Sequence, residues 1–193
     1  MSSSSIILLV LVVVVAAAIV FAVIKYFQDK RTRHLRDRFG PEYARLAEET
    51  GSQSAAEKRL AEREKRVERF TIHPLGAEDR RRLAAQWQQV QAEFVDDPKG
   101  SLAHADDLLG TVMAARGYPV RDFDQRAGDL SVDHPDVVQH YHAAHGIALA
   151  HRRGEASTED LRQAMIHYHA LFDDLVSEPS VAEPKSGHAH AAE

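Results

Sequence analysis

Nineteen consecutive apolar residues, 6–24, stand at the head of a chain that is otherwise patterned in amphipathic stripes. Fifteen of the nineteen are Val, Ile, Leu or Phe and four are Ala. At about 1.5 Å of rise per residue, such a helix reaches roughly 28 Å, close to the hydrocarbon thickness of a bilayer. Lipid offers the backbone no water to bond, so helix is the predicted state despite the many β-branched residues. The helix is expected to continue through 25–39, where Gly40-Pro41 breaks it. A short helix over 42–49 follows and ends at Thr50-Gly51.

Ser52 or Ser54 then offers an N-cap to a highly charged helix reaching Phe70. Its stripe is thin: Ala56, Leu60, Val67 and Phe70, with Arg63 in the same line. About two and a half heptads are too few for a coiled coil, so a solvated spacer, or a helix lying on the distal domain by one stripe, is expected. His73-Pro74-Leu75-Gly76 marks a boundary. Four amphipathic stretches come after it. The first, 77–95, carries Leu83, Trp87, Val90 and Phe94 on one face. The second starts with Asp97 as N-cap and Pro98 in the first turn, ends at Gly117, and carries Leu102, Ala105, Leu108, Leu109, Val112 and Met113. A link over 118–133 includes a short helix near 123–127. The third, 135–154, turns Val137, Val138, Tyr141, His145, Ala148 and Leu149 inward. The fourth opens at Ser157 or Thr158 with Glu159 and Asp160 in its first turn. Leu161, Ala164, Met165, Tyr168, Phe172, Leu175 and Val176 form its stripe.

No stretch alternates as a strand would, so the predicted fold is all-α. Its parts are a short flank 1–5, an N-terminal transmembrane helix 6–24, a basic juxtamembrane segment 25–39, a charged helical stalk 40–72, a small antiparallel four-helix bundle 73–177 and a disordered C-terminal tail 178–193.

Charge gives the anchor a direction. Lys25, Lys30, Arg31, Arg33, Arg36 and Arg38 follow it against only Asp29 and Asp37, while Met1 to Ser5 carry no charged side chain. The positive-inside rule predicts the N-terminus outside and the C-terminal body in the cytoplasm of a cell membrane. Tyr26 and Phe27 fall at the interface. These six cations form a membrane-surface cluster worth about 1 kcal/mol each against anionic headgroups, making membrane lipid an expected partner. A cleaved signal peptide ending at Ala16-Ala17-Ala18 is the rival reading, but it lacks a basic n-region and the apolar run continues past the alanines.

The net charge of −5 divides unevenly. Residues 25–70 hold 13 basic and 9 acidic residues, and residues 71–193 hold 11 and 20. An acidic distal domain is poorly suited to nucleic acid. With no cysteine, disulfide scaffolds, thiolate zinc sites and cysteine nucleophiles are excluded.

Histidine is the conspicuous residue type, twelve in all. His140, His142 and His145 share one helix and His167 and His169 the next, so imidazoles could converge on a divalent metal if those helices are neighbours. Against this, His140 and His142 leave their helix on different sides, as do His167 and His169. No Glu-x-x-His pattern accompanies them. The five are weak metal candidates. No His-Glu-x-x-His, Gly-x-Ser-x-Gly or phosphate loop occurs. Asp122-Phe123-Asp124-Gln125-Arg126 begins like a calcium loop, but Arg126 stands where an oxygen ligand is required. No catalytic residue, cofactor or small-molecule substrate is therefore expected.

Several stretches resemble a family of uncharacterised bacterial single-pass membrane proteins. They are Arg38-Phe39-Gly40-Pro41-Glu42-Tyr43, the segment 56–70, Phe94-Val95-Asp96-Asp97-Pro98, Arg116-Gly117-Tyr118-Pro119-Val120, 130–135 and 153–175. The resemblance implies a shared architecture and brings no activity. The expected function is a membrane-anchored cytoplasmic helical interaction module, not an enzyme, acting through a protein partner or as a homo-oligomer. The alternatives are a histidine-based metal-binding or metal-sensing bundle and a secreted helical protein.

Overall fold

The computed structural model describes residues 3–177, with side chains described from residue 11. The tail 178–193 lies outside the described residues, as do Met1 and Ser2. The described residues form eight helices and no strand: α1 Ser3–Phe39, α2 Pro41–Thr50, α3 Gln53–Val67, α4 Ala77–Glu93, α5 Pro98–Arg116, α6 Phe123–Asp133, α7 Val138–Arg152 and α8 Thr158–Ser177. They pack as two compact units, residues 1–61 and 62–193, divided within α3.

In the first unit, α1 is long and apolar enough to cross a membrane, and its apolar window is fully exposed. Gly40, at φ 47° and ψ −125°, takes a positive-φ backbone that favours glycine and ends the helix, and Pro41 starts α2. Beyond the apolar window, Leu35, Phe39, Tyr43, Leu46, Ala56 and Leu60 are buried. Glu57 joins three helices there: its Oε1 accepts from Thr32 of α1, Tyr43 of α2 and Gln53 of α3, each at 2.8 Å. Burial acts to raise the Glu57 carboxyl, but these hydrogen bonds outweigh it and hold the group below the ordinary glutamate value. The α3 stripe is thus packed rather than solvated.

In the second unit, α7 packs most extensively on α8, α8 also on α5, α5 on α4, and α6 on α7. Local chemistry sets the ends. Asp97 accepts from the Gly100 N–H at 3.0 Å, and Pro98 occupies the first turn. Gly117, at φ 95°, closes α5, with the Tyr118 N–H bonded to Met113 O at 2.9 Å. A Cβ at Gly117 would lie 2.2 Å from Thr71 O, so this position needs glycine twice over. The core gathers the predicted stripes of α4, α5 and α8.

The link expected over 118–133 holds a full helix in place of one short turn. Ala127, Gly128, Asp129, Leu130, Ser131 and Val132 of α6 are all buried. The end of α3 holds it there. Arg66 pairs with Asp129 at 2.6 Å, and Arg63 donates to Ser131 Oγ at 3.2 Å. Arg63 in the α3 stripe is therefore a packing residue. Other boundaries shift slightly: α3 ends at Val67 rather than Phe70, α4 at Glu93 rather than Val95, and α7 starts at Val138 rather than near Pro135. Leu149, expected inward, is exposed.

Candidate binding cleft

The structure scatters most of the histidines and pairs two. His140 of α7 and His167 of α8 meet Nδ1 to Nδ1 at 2.9 Å, so one imidazole donates and the other accepts. Burial, and then the neighbouring His140, lower the His167 pKa. His142 meets the edge of Phe123, and His145 stacks on the same ring at 3.5 Å between centroids. His169 stacks on Trp87 at 5.1 Å. Among the described residues, no three His, Cys, Asp or Glu side chains gather as a metal site would require.

The membrane-surface candidates Lys25, Lys30, Arg31, Arg33, Arg36 and Arg38 are all exposed on α1. Arg36 also lies over the Tyr43 ring, 5.2 Å from its centroid. The cluster is therefore partly a structural element of the first unit.

A different feature carries the chemistry. A cleft of about 320 Å³ opens among α5, α7 and α8. Leu102, Ala103 and Ala148 give its apolar walls, and Tyr168, His145 and His151 also line it. Asp106 forms part of the lining and accepts a hydrogen bond on each oxygen. Tyr141 donates to Oδ1 at 3.1 Å, and Arg126 donates to Oδ2 at 2.7 Å. The Arg126 guanidinium also covers the Tyr141 ring at 5.6 Å. Lys99, Asp107 and Arg152 stand at the rim.

Tyr168 is 1% exposed and its side chain lines the cleft. Burial, and then the charge of Asp106, push its pKa far above the usual phenol value, so it is a neutral hydroxyl at physiological pH. His151 Nδ1 is buried without a hydrogen-bond partner. Burial lowers the His145 pKa and favours its neutral form. An unpaired buried polar group costs free energy, so a cleft lined by His151 is suited to a ligand that pairs with its Nδ1.

The sequence pattern does not reveal this cleft. Asp106 is a polar residue at the edge of the α5 stripe, and Arg126 stands in what begins as a calcium loop. Tyr168 fits a core stripe. Their convergence depends on the α6–α7 and α5–α8 packing. Compared with known proteins, the chain matches no protein family, no curated protein and no solved structure. The resemblance noted above therefore assigns it no family and no activity.

Proposed function

We propose that the protein is a single-pass membrane-anchored helical module that acts by binding rather than catalysis, with its C-terminal unit in the cytoplasm. One observation carries the reading: an apolar helix exposed on all sides runs unbroken into a segment with six exposed cations. Such a helix has no stable home in water, and cations next to it resist translocation. We read α4, α5, α7 and α8 as an antiparallel four-helix bundle with α6 laid on α7. Anchoring raises the local concentration of this unit at the membrane, which favours a membrane-bound protein partner or self-association. The metal-sensing alternative draws on the His140–His167 pair alone, which supplies two donors where zinc generally takes four.

The test is a topology reporter fused after Glu193, combined with membrane fractionation and N-terminal sequencing. The reading expects an uncleaved chain in the membrane fraction with a cytoplasmic reporter. A soluble chain beginning near Ile19 would establish the secreted alternative.

A further inference from the structure

We propose that the α5–α7–α8 cleft binds a small organic anion: a carboxylate or phosphate group on a compact apolar body. The hydrogen-bonding groups that line the cleft suit this class. The Tyr168 hydroxyl can donate, and His151 Nδ1 can donate in one tautomer. Each oxygen of Asp106, the acidic group of the cleft lining that is paired with Arg126, already accepts one hydrogen bond, from Tyr141 and from Arg126. With Asp106 neutralised by Arg126, the remaining full charges at the rim are Lys99 and Arg152 against Asp107 alone. An anion therefore finds a net cationic mouth and neutral donors inside. Leu102, Ala103 and Ala148 supply the wall for its apolar part. The volume of about 320 Å³ lies at the small end of ligand pockets. An amine would instead face the Lys99 and Arg152 charges at the mouth, with Asp107 the one exposed carboxylate there to offset them. The assignment does not depend on which side of the membrane the unit occupies.

The experiment uses the full chain in detergent micelles, labelled with 3-fluorotyrosine. The protein has five tyrosines, and the Tyr168 resonance is identified by its loss in Tyr168→Phe. Benzoate, phenyl phosphate and benzylamine are the probes. The expected result is a saturable shift of the Tyr168 signal with benzoate or phenyl phosphate below about 10 mM, and none with benzylamine. The preference between the two anions identifies the head group. Both Lys99 and Arg152 are exposed, so Lys99→Gln with Arg152→Gln should leave the melting temperature unchanged while weakening anion binding about tenfold, as loss of charge-assisted hydrogen bonds does. Tyr168→Phe, measured by calorimetry, should weaken it about fivefold. No Tyr168 shift with either anion, an equal shift with benzylamine, or unchanged affinity in the Lys99/Arg152 variant each overturns the proposal. The rim variant keeps the test decisive if Tyr168→Phe does not fold.

Discussion

Asp129 has no exposed surface, and its counter-charge comes from a residue 63 positions earlier. Arg66 places Nη2 and Nε within 2.6 and 2.7 Å of the same Oδ1. Burial pushes the Asp129 carboxyl above the usual aspartate value, while Arg66 and the nearby Arg63 pull it down without cancelling the effect. Replacing Arg66 with Ala leaves a buried carboxylate short of its main partner, which costs about 3–5 kcal/mol near neutral pH. A carboxyl with a raised folded-state pKa holds its proton more tightly in the fold than in the unfolded chain. Its favourable contribution is therefore present at low pH and is lost as pH rises through the folded value. Arg66→Ala raises that value further, so the penalty should be large at pH 7 and shrink towards pH 4, where the group is becoming protonated in both states. Denaturant unfolding of both proteins at the two pH values checks this. An equal penalty at both would mean that Arg66 acts through its alkyl packing and not its charge.

At the scale of elements, helix ends were legible because their chemistry is local. Asp97-Pro98, Gly117 and Gly40-Pro41 need only their own neighbours to act as caps or breaks, and each lies at the end it was expected to mark. The start of α8 is the same kind of feature. Ser157 N donates to Asp160 Oδ2 at 2.7 Å, and Asp160 N donates back to Ser157 Oγ at 3.2 Å. Hydrogen bonds from the Ser157 side chain and backbone hold the Asp160 carboxyl below the ordinary aspartate value. Ser157→Ala should cost about 1 kcal/mol. A depressed carboxyl stabilises above its unfolded value and loses that contribution as pH falls through the folded one. The gap between Ser157→Ala and the parent chain should therefore narrow as pH drops below about 4, which melting curves across pH 2–7 measure. α6 was not legible for the opposite reason. Gly128, Asp129 and Ser131 read as a polar link, and their burial depends on Arg63 and Arg66, supplied from far along the chain. The cleft shares this property, since Asp106, Arg126 and Tyr168 converge only through packing between helices. Spacing alone put His140 and His167 on successive helices, but their 2.9 Å meeting required the register between α7 and α8.

At the scale of the whole molecule, the proposed membrane topology asks two things at once of the six cations that follow the apolar window of α1. Orientation needs their summed charge on one side of the bilayer, and any of them contributes to that sum. Packing needs particular ones: Arg36 lies over Tyr43, and the charge of Arg31 acts on Glu57, the residue that joins α1, α2 and α3. These roles separate experimentally. Substituting Lys25, Lys30 and Arg33 by Gln removes half of the cluster and leaves both packing contacts. The remaining charges are Arg31, Arg36 and Arg38, offset by Asp29 and Asp37, so the net local charge falls to about +1 and the positive-inside bias largely disappears. A C-terminal topology reporter should then show a mixed population in place of one orientation, while the unfolding midpoint of the extracted protein stays where it was. Arg36→Gln alone should do the reverse, leaving orientation intact and lowering the midpoint by the loss of a cation–π contact of about 0.5–1 kcal/mol. If the triple substitution leaves every chain oriented as before, the cluster does not set direction, and orientation must come from the folding of the C-terminal unit before it can cross the bilayer.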